Sequence, residues 1–198
     1  MLNAGRGTRH RDRRRGNPTG FRAVLPARIV TALLCAWPCS ASPARAGFTP
    51  KDGQVLGRTM GYVGEGRSGV TVVGVVYLPE HSPSQREAEL VRGVIGEGLT
   101  AGRVRLQARL VPLSELSELN GVDALYVTPG TIGDPAVPLA ARRMRVPTVS
   151  AGMDCVEAAH CAVGFSTEPT VQIVISRNAA ERAGVQFTQA FRMLVTER

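Results

Sequence analysis

The sequence is poor in the residue patterns that carry most catalysis. No serine lies in a G-x-S-x-G turn, no cysteine pair is spaced C-x-x-C, and only His81 and His160 of the three histidines fall after residue 46. These absences exclude a serine nucleophile elbow and a thioredoxin-type dithiol. Asp154, Cys155, His160 and Cys161 lie close together, but no second cysteine or histidine cluster completes a four-ligand zinc set. Glu87 and Glu89 fall on different faces of a helix, and Glu115 and Glu118 are flanked by leucines as on a short surface helix. Neither pair reads as an acid–base couple. The expectation is a chain without catalysis, cofactor or metal.

A membrane span is also missing. The apolar run IVTALLCAWPCSA, Ile29 to Ala41, falls short of the ~20 residues a spanning helix needs. It follows a basic stretch with Arg6, Arg9, Arg11, Arg13, Arg14, Arg15, Arg22 and Arg28 and precedes Ala44-Arg45-Ala46. A basic n-region, a short h-region and an A-x-A site make a secretory signal peptide over 1–46, with cleavage after Ala46; an uncleaved anchor is the alternative. The residue before Cys35 is Leu34 and that before Cys39 is Pro38, so neither has the small neighbour of a lipid-anchor site. The expected location is the periplasm, with no membrane insertion after cleavage.

The leader also carries the charge. The whole chain has a net charge of +8, but residues 1–46 hold 9 of its 24 basic residues and 1 of its 16 acidic ones, leaving 15 of each. Phosphate neutralisation needs a cationic surface, so the remainder is not a nucleic-acid binder.

Residues 47–69 are glycine-rich and weakly patterned, and read as a flexible arm with a short strand around Arg58 to Val63. Their Gly64-Glu65-Gly66-Arg67-Ser68-Gly69 is a literal G-x-G-x-x-G. A pyrophosphate site needs the strand before that motif and a helix after it. Here the strand follows, so a turn is the better reading.

From Val70 the pattern tightens. VTVVGVVYL, Val70 to Leu78, is a near-continuous β-branched run, as in a strand buried on both faces. Ser82-Pro83 with Gln85 reads as a capping box opening a helix whose apolar stripe is Leu90, Val91, Val94 and Ile95. His81, just before it, reads as a solvated loop residue. Strands are expected at 103–111, 122–128 and 146–150, a short helix at 114–119, and a helix from Asp134-Pro135 to Met144. Two β-rich runs, 161–167 and 170–176, joined by Glu168-Pro169, read as a hairpin. Two short helices split by Gly184 follow. Alternating strands and helices argue for a parallel sheet covered on both faces. The fold class is α/β: one three-layer, Rossmann-like domain over 70–198 with a mostly parallel four-stranded sheet, a C-terminal β-hairpin and two short helices. Arg142, Arg143 and Arg145 cluster at a helix end. They complement the helix dipole or contact an anion or partner.

In an exported protein the pair Cys155 and Cys161 reads as a disulfide. Six helical residues span about 9 Å, beyond the ~7 Å that a bridge allows between Cα atoms. A helix over 153–158 must therefore reverse before Cys161.

The stretches VDALYVTPGT, RVPTVSAGMD and IVISRNAAERAGVQFTQAFRML resemble the YfiR-type family of small periplasmic proteins over about residues 122–194. Ala179, Ala180, Ala183 and Gly184 match its C-terminal pattern, while the usual asparagine is shifted at Ser176-Arg177-Asn178. The resemblance implies a non-enzymatic regulator that binds the periplasmic face of a membrane sensor protein and restrains a diguanylate cyclase in cyclic di-GMP signalling, in some members tuned by disulfides. The family's opening helix and aromatic segment are replaced here by the arm. VTVVGVVYLPEHSPSQREAELV is in turn similar to the start of the second lobe of solute-binding components of ABC transporters. That resemblance implies a ligand binder reduced to one lobe.

Overall fold

The computed structural model describes residues 47–198. The expected signal peptide and the cleavage expected after Ala46 lie outside the described residues. In chain order the elements are α1 (Pro50–Met60), β1 (Gly69–Tyr77), α2 (Ser82–Ile95), β2 (Leu99–Ala101), β3 (Val104–Pro112), β4 (Ala124–Val127), α3 (Ala136–Met144), β5 (Thr148–Ala151), α4 (Asp154–Glu157), β6 (Val163–Ser166), β7 (Gln172–Ile175), α5 (Arg177–Ala183), α6 (Gln189–Arg192) and β8 (Thr196–Glu197). Among the described residues the strands form one sheet in the order β2-β3-β1-β4-β5-β6-β7-β8. The run β3-β1-β4-β5-β6 is parallel, and β2 and β7 pair antiparallel to β3 and β6. The expected hairpin is thus β6–β7, continuing the same sheet.

β1 is an inner strand, as its composition requires. Val73, Val75 and Val76 have no exposed surface, and side chains of adjacent strand positions point to opposite faces. Both faces must therefore be covered. Crossovers between parallel strands are right-handed, and β1→β3 runs the opposite way along the sheet from β4→β5. The connecting helices α2 and α3 accordingly fall on opposite faces. α1 packs with α2 against β2 and β3, and α5 packs with α3.

The structure corrects several boundaries. The sheet has eight strands rather than a four-stranded core with a hairpin. The three-residue β2 and two-residue β8 are too short to show a period in the sequence. α2 is capped by His81, whose Nδ1 accepts from the Ser84 N–H at 3.3 Å, rather than by a Ser82 capping box. The helix expected at 114–119 is a 3-10 turn over Leu113–Glu115, with Leu116 and Leu119 buried.

The largest correction concerns residues 47–69, which are not a flexible arm. α1 is a regular helix with Val55, Leu56 and Met60 in the core, and no strand occupies Arg58 to Val63. Its glycines serve close approach. A Cβ on Gly57 would lie 2.4 Å from that of Ala101, and one on Gly53 would lie 2.6 Å from Leu99 Cδ2. The G-x-G-x-x-G stretch is a fixed turn: Gly64 N–H donates to the Gln186 carbonyl at 2.8 Å, beside a Val63–Phe187 bridge. Tyr62 stacks on Phe191 at 4.8 Å, tying this turn to the C-terminal segment.

A packed α1 makes a prediction that a flexible arm does not. Leu56→Ala is expected to lower unfolding free energy by about 2–5 kcal/mol, measured by urea titration. An unchanged midpoint would refute the docking of α1.

Candidate binding cleft

The carboxyl ends of the parallel strands are where open α/β sheets bind ligands, and here they carry a cleft of about 840 Å³. Its walls come from the start of α1 (Phe48, Asp52), the first half of α2 (Pro83, Arg86, Glu87, Leu90), Pro129 after β4, Ala151 at the end of β5, and Phe165 to Glu168 at the end of β6.

Two buried polar knots shape the floor. In the first, Thr49 and Asp52 form a reciprocal capping box at the α1 N-terminus. Asp52 Oδ2 accepts from the Thr49 N–H at 2.8 Å and the Thr49 hydroxyl at 2.6 Å, and Oδ1 accepts from the Thr167 hydroxyl at 2.7 Å. Lys51 Nζ donates to the Thr167 carbonyl at 2.7 Å. One carboxylate thus both caps a helix and pins it to the end of β6.

In the second knot, Tyr126 is fully buried in β4, and its hydroxyl bonds two residues of the lining. It donates to Glu87 Oε1 at 2.6 Å and accepts from the Ala151 N–H at 3.3 Å. The Phe48 ring meets the Tyr126 ring edge-on at 5.4 Å. Burial first, then the negative charge of Glu87, push the Tyr126 hydroxyl well above the usual tyrosine range.

The residues expected to matter fall elsewhere. Cys155 and Cys161 are joined by a disulfide with Cα atoms 5.2 Å apart. The segment reverses as its geometry demands: α4 ends at Glu157, Ala159 has φ +55°, and the Cys161 N–H donates back to the Cys155 carbonyl at 3.1 Å. The Arg182 guanidinium of α5 donates to the Ala159 carbonyl, tying the turn to the C-terminal helices. Val156 of α4 sits on Gly164 of β6, where a Cβ would come within 2.4 Å of Val156 Cγ1. The disulfide therefore holds the start of the strand whose far end lines the cleft.

None of Arg142, Arg143 and Arg145 lines the cleft. Arg143 donates to the Leu116 and Leu119 carbonyls at 3.1 and 2.9 Å. Arg145 is the left-handed C-cap of α3, and Arg142 is exposed. No group of three or more potential metal-ligating side chains occurs among the described residues, and none of their helices is long and apolar enough to cross a membrane.

Sequence reasoning missed Asp52, Tyr126 and Glu87 as a set. One signal was legible: Thr49-x-x-Asp52 is a capping-box pattern. The meeting of Tyr126 with Glu87, 39 residues apart in the chain, left no local trace.

No family model and no curated protein sequence matches the chain. Among solved structures it is similar to a conserved domain protein from Vibrio cholerae O1 biovar El Tor strain N16961, at 16% identity and a TM-score of 0.50, over 75% of this chain and 59% of that one. A second is the ABC domain from Streptococcus pneumonia in complex with L-Trp, at 14% identity and a TM-score of 0.46, over 64% of this chain and 54% of that one. The chain thus spans under two thirds of the length of either. The first likeness is one of fold, and it agrees with the α/β class.

Two outcomes follow from the site. The folded Tyr126 keeps its proton to a higher pH than the unfolded one, so its contribution to stability is intact below about pH 10 and is lost as pH rises above that. Tyr126→Phe should cost about 1–3 kcal/mol at neutral pH, because Ala151 N–H and Glu87 lose a partner, and should flatten the alkaline loss in urea titrations between about pH 8 and pH 11. The disulfide closes a short loop worth about 2 kcal/mol, so reduction should lower the melting temperature by roughly 5 °C without unfolding the protein. Both cysteines are buried, so thiol labelling is done on protein denatured without reductant, where neither Cys155 nor Cys161 should react; two labelled thiols would contradict the bond.

Proposed function

We propose that the protein is an exported, non-enzymatic binding module: a single α/β lobe, related to the solute-binding components of ABC transporters, that receives a small ligand in the cleft at its strand ends. The observation that carries this reading is the cleft itself. Its volume is within the ~300–1,000 Å³ of ligand sites. Its walls join apolar side chains such as Phe48, Leu90 and Phe165 to polar ones, of which Asp52, Thr167 and Glu87 are fixed by hydrogen bonds. The export reading rests on the basic and apolar leader.

A second reading has its own support. α1 supplies the opening helix that the glycine-rich stretch had suggested was missing, with Phe48 just ahead of its Thr49 cap. This removes one difference from the YfiR-type regulators and favours a role in restraining a membrane diguanylate cyclase from the periplasm.

The purified protein should be screened against a panel of amino acids, nucleosides, amines and organic acids by thermal shift, then by calorimetry. A cleft ligand at 100 times its Kd adds about 2.7 kcal/mol of stability, a rise of several degrees. Leu90→Trp, placed at the half-exposed mouth of the cleft, should abolish that rise while leaving the unliganded melting point in place. A silent panel combined with stoichiometric capture of a cyclase sensor domain would reject the solute reading in favour of the second.

A further inference from the structure

We propose that the β8 edge of the sheet pairs with the β8 edge of a second copy of this chain, antiparallel across a two-fold axis at Thr196. The proposal is independent of what the cleft holds.

The sheet ends at β2 on one side and at β8 on the other, and the chain treats the two edges differently. At β2, α1 packs against the strand, and Gln54 Nε2 donates to the Thr100 carbonyl at 3.1 Å. That edge is covered by its own chain, as exposed edges commonly are. β8 has no such cover. It runs parallel to β7, with Thr196 beside Val174 and Glu197 beside Ile175. The Arg198 N–H donates to the Ile175 carbonyl at 2.9 Å, and the Arg198 carbonyl accepts from the Arg177 N–H at 2.8 Å. Backbone groups of alternate strand residues point the same way, so Thr196 and Arg198 face β7. The N–H and carbonyl groups of Val195 and Glu197 face outward, and no hydrogen bond among the described residues reaches them there.

The side chains do not guard this edge. Unpaired charge is a common protection, but Glu197 is bonded to Arg177 and Arg192, each at 3.1 Å, and Arg198 to Glu157 at 3.2 Å. Just before the strand, Met193 and Leu194 are 79% and 74% exposed, more than any other large hydrophobic residue among those described. Open backbone groups beside bare hydrocarbon make a pairing surface.

Charge and register select the occupant. Two β8 strands meeting antiparallel bond through their outward residues, Val195 and Glu197. Glu197 opposite Glu197 would set like charges side by side, which is destabilising. Val195 opposite Val195 would leave Glu197 facing Met193, whose N–H is already held by the Gln189 carbonyl at 3.1 Å. Val195 opposite Glu197 avoids both faults. A hydrogen-bonded antiparallel pair exchanges both of its bonds, so every outward group on both copies is met. Thr196 then lies opposite Thr196, a favourable cross-strand pair. Leu194 lies beside Arg198, whose methylene stem covers it. A two-fold interface is self-complementary in this way. An extended peptide of arbitrary sequence would supply the backbone bonds without the side-chain match.

The test is sedimentation velocity of the full chain between about 1 and 500 μM. Monomer should convert to dimer across that range, since an interface this short belongs to the weak class. Thr196→Lys sets two ammonium groups opposite each other and leaves the bonds to β7 in place. It should weaken the dimer about fivefold or more at an unchanged melting temperature. In a Cys35→Ser, Cys39→Ser background, Thr196→Cys should cross-link the copies on mild oxidation. Residues of a non-hydrogen-bonded pair have Cα atoms about 4.5 Å apart, within reach of a disulfide. Leu194→Cys lies opposite Arg198 rather than itself and should not cross-link. A chain that stays monomeric throughout the range overturns the proposal. So does a dimer unchanged in Thr196→Lys, or cross-linking through Leu194→Cys as efficient as through Thr196→Cys. If Thr196→Lys does not fold, the wild-type dimer and the cross-linking pattern decide.

Discussion

Val73, Val75 and Val76 in β1 are buried on both faces of the sheet, and the rest of the architecture answers that constraint. A strand with no wet face needs a helical layer above and below, and parallel neighbours to satisfy its backbone. β3 and β4 flank β1 in register. Because the chain leaves β1 first toward β3 and later resumes at β4, the two right-handed crossovers supply one layer each. The same reversal leaves the carboxyl ends of the parallel strands open along one edge, and the cleft lies there. Fold and candidate site are therefore one consequence of how the central strand is buried.

The cleft has the shape it does because two hydroxyl–carboxylate contacts tie helices to strand ends. Asp52 with Thr167 fixes α1 to β6, and Glu87 with Tyr126 fixes α2 to β4. Buried polar groups of this kind are costly if half satisfied and specifying if fully satisfied. Asp52 accepts from Thr49 and Thr167, and the Tyr126 hydroxyl both donates and accepts. The disulfide acts from the opposite end of β6, holding α4 and the reversal at Ala159 against the strand.

The parallel strands, helices α2 and α3 and the bond between Cys155 and Cys161 were legible in the sequence, because each rests on local information. An apolar β-branched run marks a doubly buried strand. Asp134-Pro135 marks the start of α3, where Asp134 Oδ1 accepts from the Ala136 N–H at 2.8 Å. A six-residue spacing compels a reversal if the bridge forms. The glycines of α1 misled for a physical reason. Glycine lowers helix propensity, yet Gly53 and Gly57 are helical because β2, α2 and β3 press too close for a side chain. Propensity speaks of an isolated helix, and tertiary packing overrode it.

What the sequence by itself determined was the class of the fold: hydrophobic period, caps and turn residues act over a few neighbours, and they specify alternating strands and helices without reference to the rest of the chain. What only the tertiary structure decided was the site. Asp52 reaches Thr167 across 115 residues, and Tyr126 reaches Glu87 across 39. Such pairs are brought together by strand order and crossover hand, and neither quantity is written in any short stretch of residues.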